Sequence, residues 1–350
     1  MSRFNTLVIS EKHRLTKDAV RLDFRIPAEL KETFRFKPGQ YITLKATVAG
    51  EEVRRSYSIC NEESTSRLSV AVKEVTNGRF SMYASEQLQA GDVLEVMPPE
   101  GQFLVKETEG HHVFIAAGSG ITPMMSMIPF ILGRNTTDKV SLLFGNKLKD
   151  EVMFYAELEQ LHKLYPSRLE IQHCYSREHR DGAWEGRVTA AMASRFISSS
   201  SFGKATEVYL CGPAEMIFSV KDDVIARGLS KEQVHFELFT APVIETEDEP
   251  DRTETVEGAS KITFRLDGQE YVIEDVDPHH AILDIALEAG IDAPFACQGG
   301  VCCTCKALVT GAKVDLRQNF SLSDKEVSEG YVLTCQSYHL GGSTVVDYDK

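Results

Sequence analysis

The sequence lacks any apolar run that approaches the length of a membrane-spanning helix, and its first residues, Met1 to Thr6, carry no apolar signal segment. We therefore expect a cytoplasmic protein with no membrane attachment. A basic surplus is also missing, since 38 lysines and arginines stand against 52 aspartates and glutamates, a net charge of -14. Because nucleic acid is bound through a basic face, this balance argues against a nucleic-acid partner.

The length of 350 residues, with 42% apolar and 26% charged residues, suits two or three globular domains. The negative charge is uneven: residues 1–240 hold 31 acidic and 30 basic residues, residues 241–260 hold 7 and 1, and residues 261–350 hold 14 and 7. Residues 241–260 are therefore interpreted as an acidic linker. The acidic C-terminal part is compatible with an electron carrier steered onto a basic partner, and equally with a surface that serves solubility alone.

Cysteine is present in a pattern that does not predict disulfides, because the expected compartment is reducing. Cys297, Cys302 and Cys305 form a C-x4-C-x2-C loop, and Cys335 follows at a distance. This is the spacing with which four thiolates hold a plant-type 2Fe-2S cluster. A zinc site, which more often shows two close C-x2-C pairs, and reduced cysteines that only pack remain alternatives. Cys303 is extra to the set and is interpreted as structural.

These cysteines make residues 261–350 resemble a plant-type ferredoxin domain, which implies an α+β β-grasp fold. The local pattern agrees with such a fold, because a hairpin over Asp267-Gly268 precedes a helix and the cysteine loop. The strands predicted here are residues 261–266, 271–276, 306–309 and 331–335, and the helices are residues 281–289 and 323–328.

The N-terminal part, residues 1–108, shows short runs of alternating and β-branched residues separated by turn signals such as Asn77-Gly78. Evenly spaced short strands without long helices between them predict an antiparallel β-barrel. The predicted strands are residues 6–10, 20–26, 41–46, 53–59, 68–73 and 93–97, and one helix is predicted at residues 81–88.

The segment Arg55-Ser56-Tyr57-Ser58 ends one of these strands. Arg55 can bind a phosphate, Tyr57 can lie against a flat ring, and Ser58 can hydrogen-bond a ring nitrogen. A second segment, Gly78-Arg79-Phe80-Ser81, begins a helix, where free backbone N–H groups suit a diphosphate. Taken alone, each segment is also typical of an ordinary strand edge or helix start.

From His112 the pattern changes to alternating strands and helices, which predicts a parallel sheet flanked by helices over residues 109–240. Gly118-Ser-Gly120-Ile-Thr122 follows the first strand and begins a helix, so its backbone can approach a pyrophosphate. Cys211-Gly212-Pro-Ala-Glu-Met216 repeats the strand-to-helix arrangement. The predicted strands are residues 113–117, 140–144, 169–175, 208–211 and 234–238, and the helices are residues 124–132, 152–164, 189–196 and 214–227.

In this order, the segments of residues 1–240 resemble the flavin and nicotinamide domains of the ferredoxin-NADP reductase superfamily, which implies FAD and NAD(P)H. The resemblance places Ser58 near the flavin N5 and Cys211 beside the nicotinamide; for Cys211, a small buried strand residue is an equal alternative. Ser176 and Arg177 fall where an adenosine 2′-phosphate would lie, which favours NADPH over NADH, although such a surface pair is common. The implied FAD residues are Arg55, Tyr57, Ser58, Gly78, Arg79 and Ser81, with Thr122 near the ring, and the implied NAD(P) residues are Gly118, Gly120, Ser176, Arg177, Cys211, Gly212 and Met216.

A reductase with a C-terminal ferredoxin domain is expected to pass electrons from NAD(P)H through FAD and a 2Fe-2S cluster to an oxygenase. The run from Cys297 to Cys305 and the segment from Met97 to Phe103 are similar to reductase components that serve a multisubunit di-iron epoxidase of phenylacetate degradation. Reductases of Rieske-type ring hydroxylases share the domain order, so a hydroxylase of this type is the alternative partner. The alternative from a different functional class is a non-catalytic regulator that binds metal and senses redox state.

Overall fold

A computed structural model of the chain describes residues 4–63, 66–197, 206–242 and 260–350. The described residues fall into two compact units, Phe4–Phe239 and Thr240–Lys350. The predicted acidic linker lies almost wholly outside the described residues. Within the described ranges, no helix combines the length and the apolar character needed to cross a membrane.

The first unit begins with a six-stranded antiparallel sheet in the order β4-β3-β6-β1-β2-β5. Its two edge strands meet where Ile59 bridges Val70 and the Cys60 N–H donates to the Ser69 carbonyl at 2.9 Å, so the sheet closes into a barrel. The predicted antiparallel barrel is confirmed. Its elements are β1 (Asn5–Thr16), β2 (Ala19–Arg25), β3 (Tyr41–Val48), β4 (Glu51–Ser58), β5 (Arg67–Lys73), α1 (Arg79–Glu86) and β6 (Val93–Val96).

The barrel core follows the two-residue period of its strands, because alternate side chains point inward. α1 closes one end of this core with Phe80 and Ala84, which lie one helical turn apart and are both buried. The strand residues that share this core and have no solvent exposure include Leu7, Ile9, Leu22, Phe24, Ile42 and Leu44.

The same unit continues with a six-stranded parallel sheet in the order β10-β9-β8-β7-β11-β12. Its central strands are buried along nearly their whole length, as expected for a sheet covered on both faces. The strand order reverses between β7 and β11, which is where α/β sheets bind ligands at the carboxyl ends of their strands. The elements are β7 (His111–Ala117), α2 (Ile121–Arg134), β8 (Lys139–Asn146), α3 (Tyr155–Leu164), β9 (Leu169–Tyr175), β10 (Trp184–Glu185), α4 (Ala190–Ile197), β11 (Thr206–Cys211), α5 (Ala214–Ala226) and β12 (Val234–Glu237).

The barrel and the parallel sheet are joined by polar contacts within the first unit. The Gly39 N–H donates to the Ser126 hydroxyl of α2 at 3.0 Å, and Lys17 pairs with Glu151 at 3.0 Å. Gly39 has φ +100°, and a Cβ at this position would lie 1.9 Å from the Phe103 carbonyl oxygen. Only glycine fits this close approach to the segment that follows the barrel, so the backbone at residue 39 can lie there and donate to α2.

The second unit is a five-stranded sheet in the order β14-β13-β19-β15-β17, in which the central pair β13 and β19 is parallel, with a separate β16–β18 pair. The predicted β-grasp fold is confirmed, although β19 and the short β16 and β18 were not predicted. Tyr331–Leu333 ends earlier than expected, because residues 334–336 form a 3-10 turn around Cys335. The elements are β13 (Lys261–Leu266), β14 (Gln269–Glu274), α6 (Ile282–Glu288), β15 (Lys306–Gly311), β16 (Val314–Leu316), α7 (Asp324–Ser328), β17 (Tyr331–Leu333), β18 (Ser337–His339) and β19 (Ser343–Asp347).

A buried polar network ties the segment that follows the barrel to the parallel sheet. The His112 side chain, fully buried on β7, accepts a hydrogen bond at Nε2 from Arg134 at 3.0 Å. Arg134 also pairs with Asp138 at 2.7 Å and donates to the carbonyls of Lys106 and Thr108. Burial, together with the Arg134 charge, lowers the pKa of His112 to about 4.

We expect this histidine to make the first unit sensitive to acid. Between pH 6.5 and about 4 the unfolded chain binds a proton at His112 that the native state does not bind, so the free energy of unfolding falls as pH falls. His112→Gln should reduce the slope of unfolding free energy against pH by up to about 1.4 kcal/mol per unit in this window. Urea titrations from pH 7 to 4.5 measure the slope. The exposed His179→Gln is the matched control, and equal slopes in all three proteins would contradict the prediction.

Candidate functional site

The cysteine loop of the second unit brings the four predicted ligands together. Cys302, Cys305 and Cys335 are each at most 6% exposed, and Cys297 is half-buried. The sulfurs of Cys297 and Cys302 lie 3.1 Å apart, and the Gly299 N–H donates to the Cys297 sulfur at 3.4 Å. Hydrogen bonds from the Cys302 and Cys335 thiols hold the pKa of the Cys297 thiol well below its usual value. The loop therefore favours thiolate at this position.

The arrangement of these sulfurs discriminates between one metal ion and a two-iron cluster. Four thiolates on one tetrahedral zinc ion, at about 2.3 Å each, all lie about 3.8 Å from one another. Within the described part of the chain, the only group of three ligand atoms that mutually approach within 4.8 Å is Glu11, His13 and Asp23, so no three cysteine sulfurs converge in this way.

The thiols instead contact one another in an open row. Cys302 contacts Cys297, Cys297 contacts Cys335, and Cys335 contacts Cys305. The row has Cys297 and Cys302 as the pair at one end and Cys305 and Cys335 as the pair at the other. One pair for each of two irons fits this row, so the 2Fe-2S cluster fits the residues better than zinc.

The backbone around the loop explains its shape. Gln298 has φ +54° and Gly300 has φ +72°, and a Cβ at Gly300 would lie 2.8 Å from the Gln318 carbonyl oxygen. The Gln336 side chain donates to the Gln298 carbonyl at 3.0 Å, which joins the loop to the turn that holds Cys335. The Cys303 sulfur lies 3.6 Å from the Ser321 carbonyl oxygen and takes part in this framework.

The barrel places the expected flavin residues at the end of β4 and the start of α1. The Tyr57 ring lies 5.5 Å from the Phe80 ring, so the two predicted segments are neighbours. Arg55 is exposed, whereas Ser58 is 4% exposed. Burial raises the pKa of Tyr57 well above its usual value, which keeps the phenol neutral.

The α1 start has its own local contacts. The Ser81 hydroxyl accepts from the Val75 N–H at 3.1 Å and donates to the Gly78 carbonyl at 3.3 Å, so this side chain shapes the turn before the helix. Arg79 pairs with Glu51 of β4. A cation and the first N–H groups of a helix are thus presented together, which suits an anionic group such as a diphosphate.

At the carboxyl ends of β7 and β11, where the strand order reverses, the backbone of the β7–α2 turn lies very close to the backbone at the end of β11. A Cβ at Gly120 would lie 2.1 Å from the Cys211 carbonyl oxygen, and a Cβ at Gly212 would lie 2.7 Å from the Met216 methyl group. Gly118 has φ +55°. These glycines bring the β7–α2 turn against the end of β11 and leave the backbone bare for a phosphate-bearing ligand.

Thr122, in the first turn of α2, is 2% exposed, and its hydroxyl donates to the Ser119 carbonyl at 3.0 Å. The fully buried Cys211 lies directly opposite Ala116 of β7 in the sheet register. Burial raises the pKa of the Cys211 thiol well above its usual value, so this side chain is neutral.

Glu237 was missed by the sequence reasoning. It ends β12 in register with Cys211, and its Oε2 atom accepts a hydrogen bond from the Ser58 hydroxyl at 3.1 Å. Burial raises the pKa of Glu237 to about 8. Its position at the end of a parallel strand next to β11 could have marked it as a site residue. Its contact with Ser58 could not be predicted, because that contact depends on how the barrel packs against the parallel sheet.

Ser176 and Arg177 follow β9 at the same edge of the sheet. Their backbone N–H groups donate to the carbonyls of Asn146 and Lys147, both at 3.0 Å, which joins this turn to the end of β8. The Arg177 side chain is exposed. The turn thus presents a hydroxyl and a guanidinium at the carboxyl end of β9.

Three protein families match the chain one after another. The oxidoreductase FAD-binding domain covers residues 6–104, the oxidoreductase NAD-binding domain covers residues 114–222, and the 2Fe-2S iron-sulfur cluster binding domain covers residues 264–339. All three cofactor-binding domains expected from the sequence are therefore present.

Full-length relatives share this arrangement. One subunit of the 1,2-phenylacetyl-CoA epoxidase of Escherichia coli is 39% identical over 355 residues, which span 100% of this chain and 99% of the relative. The ferredoxin reductase component of the 3-ketosteroid-9-alpha-monooxygenase of Mycolicibacterium smegmatis is 31% identical over 98% of this chain and 97% of the relative. A solved structure of phthalate dioxygenase reductase matches the fold with a TM-score of 0.61, 24% identity and 98% coverage of both chains.

The paired cysteines generate a prediction about the cluster. Cys302→Ser should greatly reduce bound iron and acid-labile sulfide while leaving bound FAD near one per chain, because the cysteines and the flavin-binding barrel lie in separate compact units. Iron, sulfide and FAD assays on one anaerobic sample measure this. Cys303→Ser is the matched control and should keep the cluster. Zinc without sulfide in the unmodified protein would contradict the two-iron interpretation.

Proposed function

Because the chain belongs to the ferredoxin-NADP reductase superfamily of flavoproteins, in the group with a C-terminal 2Fe-2S domain, we propose that it is the NAD(P)H-dependent reductase of an oxygenase system. The observation that carries this proposal is the joining of FAD-binding, NAD-binding and cluster-binding domains in one chain, with the cysteine sulfurs in pairs. The electron acceptor is an oxygenase component.

When bound, FAD accepts a hydride from the nicotinamide and releases single electrons, which a 2Fe-2S cluster can carry. The chain's own residues bind and orient these groups. We propose that Arg55, Arg79 and the start of α1 hold the FAD phosphates, and that Tyr57 lies against the flavin ring. These assignments are supported by the neighbouring positions of β4 and α1.

For the nicotinamide, we propose that Gly118 and Gly120 admit the dinucleotide phosphates and that Cys211 and Gly212 lie beside the ring. Their support is the close backbone approach between the ends of β7 and β11. Ser58 and Cys211 then flank the place of hydride transfer, and Glu237 joins them at this edge. Burial keeps Cys211 neutral, so its role is packing and orientation.

The partner we propose is a multisubunit di-iron oxygenase that acts on phenylacetyl-CoA. The support is the 39% identity over the full chain with one subunit of a 1,2-phenylacetyl-CoA epoxidase, against 31% for the reductase component of the 3-ketosteroid monooxygenase. That second relative makes a steroid hydroxylase the alternative acceptor. A non-catalytic redox regulator has no support from these relatives.

We expect the anaerobically purified protein to lose both its flavin and its 2Fe-2S absorption when NADPH is added. It should also reduce ferricyanide, which takes electrons from the flavin, and cytochrome c, for which Cys302→Ser should be much slower because the cluster is lost. To distinguish the two acceptors, the protein and NADPH are mixed with a purified di-iron epoxidase or with a purified steroid hydroxylase, and the oxygenated product of each is measured. A protein that binds FAD but does not turn over with ferricyanide would refute the reductase proposal.

The Ser58–Glu237 contact predicts a pH-dependent rate. Below about pH 8 the Glu237 carboxyl is neutral, and above it the carboxylate can stabilise the positive charge that the nicotinamide gains as it loses hydride. We expect flavin reduction by NADPH, measured by stopped flow, to accelerate through pH 8 in the unmodified protein. Glu237→Gln should lack this transition, and the exposed Glu109→Gln should keep it. If the transition persists in Glu237→Gln, it arises from another titratable group and the prediction is wrong.

A further inference from the structure

The outer face of the barrel carries a histidine and two carboxylates that none of the assignments made above uses. The His13 Nε2 atom lies 2.8 Å from Oε2 of Glu11 and 3.5 Å from Oδ2 of Asp23. The three side chains offer ligand atoms that all lie within 4.8 Å of one another. Glu11 and His13 belong to β1 and Asp23 belongs to β2, so this cluster is built on two paired strands.

An irregularity in β1 brings these side chains to one face of the sheet. The register between β1 and β2 shifts between Ile9 and Glu11, which places Glu11 opposite Asp23 and His13 opposite Arg21. Because side chains alternate along a strand, an unshifted β1 would turn Glu11 and His13 to the side of Ile9, which lies in the barrel core. β-bulges are common next to functional sites, where they re-aim a side chain in this way.

Asp23 is held in place, whereas Glu11 can adjust. Asp23 is 1% exposed, and Arg21 donates to its two oxygens at 3.0 and 3.2 Å. Each carboxylate oxygen has two lone pairs, so Oδ2 keeps one for a metal ion, and the hydrogen bonds from Arg21 fix its orientation. Glu11 is exposed, so its carboxylate can move from 2.8 Å to the separation of about 3.4 Å between two ligands of a tetrahedral zinc ion.

The charges of the cluster favour a divalent cation. The Arg21 guanidinium is shared between Asp23 and Glu157 of α3, whose carboxylate lies 3.7 Å away. When His13 is neutral, three carboxylates therefore stand against one guanidinium. The carboxylates are those of Glu11, Asp23 and Glu157. Protonation of His13 offsets one of the two excess negative charges, whereas one divalent cation balances both.

A buried hydroxyl beside Asp23 is an independent indication of a polar ligand. Ser69 of β5 is 1% exposed and lies directly opposite Asp23 in the register of β2 and β5. The two side chains share the outer face, because residues opposite each other in a sheet point to the same side. In the part of the chain that the structure describes, the Ser69 hydroxyl has no hydrogen-bond partner. Since buried polar groups are normally paired, a water bound to a metal ion beside Asp23 gives this hydroxyl a partner.

Solvent reaches the cluster through a cleft of about 440 Å³ inside the first unit. His13 and Arg21 line this cleft, and the first turn of α3 forms its other side. Arg14 lines it as well, but its guanidinium is engaged at α1, where it donates to the Ser85 hydroxyl at 2.8 Å. Three protein ligands leave the fourth position of a tetrahedral ion for water, which this cleft can supply.

We propose that Glu11, His13 and Asp23 bind a divalent transition-metal ion of the zinc type, with water as a further ligand. Zinc accepts imidazole nitrogen together with carboxylate oxygens, at about 2.0–2.2 Å. Magnesium and calcium, which take oxygen ligands, should bind more weakly. The site is separate from the four cysteines, which lie in the other compact unit, and it does not depend on the proposed reductase function.

Zinc binding to the protein loaded with FAD and the 2Fe-2S cluster tests the proposal. After unbound metal is removed with a chelating resin under anaerobic conditions, isothermal titration with zinc chloride should show saturable binding at one tightest site per chain. His13→Ala should weaken this binding about tenfold or more, because a ligand is lost. His280→Ala is the matched control and should bind as the unmodified protein does. His280 is similarly exposed, at 46% against 41% for His13, but it pairs with the single carboxylate of Glu288.

A second measurement locates the ion on the unmodified protein and needs no variant that folds. Zinc should slow the modification of His13 by diethylpyrocarbonate, mapped by mass spectrometry, and leave that of His280 unchanged. Glu11→Gln, a change at the surface, should weaken zinc binding in the titration while bound FAD stays near one per chain. The proposal is overturned by the absence of saturable binding, by equal affinities in His13→Ala and the unmodified protein, or by a His13 that zinc does not protect. Neither measurement uses NADPH, so failure of ferricyanide reduction would refute the reductase function alone.

Discussion

The contact between the Gly120 turn and the end of β11 is the constraint on which the first unit depends. Where the Cys211 carbonyl oxygen would lie 2.1 Å from a Cβ, only glycine is possible, so the β7–α2 turn and β11 are locked together. This contact places Cys211 beside the glycine turn, and the parallel register then places Glu237 beside Cys211. Ser58 reaches the same point from the barrel. The proposed hydride-transfer site is thus assembled from three separate parts of the chain.

Burial controls the charge of the side chains at the carboxyl ends of β11 and β12. The Cys211 thiol is held neutral, and Glu237 is held close to its point of ionisation near neutral pH. Burial penalises the ionised form of Glu237, so this carboxyl is mostly neutral at neutral pH and ionises more readily when a cation lies close to it. The site can therefore respond to the charge of the group that it binds.

In the second unit, the main constraint is the position of the four cysteines. A 2Fe-2S cluster takes two thiolates on each of its two irons. In the C-x4-C-x2-C loop, which supplies three of the four cysteines, Gln298 and Gly300 adopt left-handed conformations. The Gln336 side chain closes the loop onto the segment that supplies Cys335. The ligand pattern is local in sequence for three cysteines, but the fourth depends on the fold of the sheet.

The sequence by itself determined which cofactors the chain can hold, because strand alternation, helix periodicity and cysteine spacing are local properties. The antiparallel barrel, whose strands run from Asn5 to Val96, and the parallel sheet, whose strands run from His111 to Glu237, were predictable for this reason. β19 was missed, since its short run Ser343–Asp347 follows two glycines and becomes a strand only through pairing with β13 and β15. Tertiary structure alone decided which distant side chains meet. The Ser58–Glu237 contact spans 179 positions of the sequence, and no local pattern encodes it, because it arises from the packing of one sheet against another.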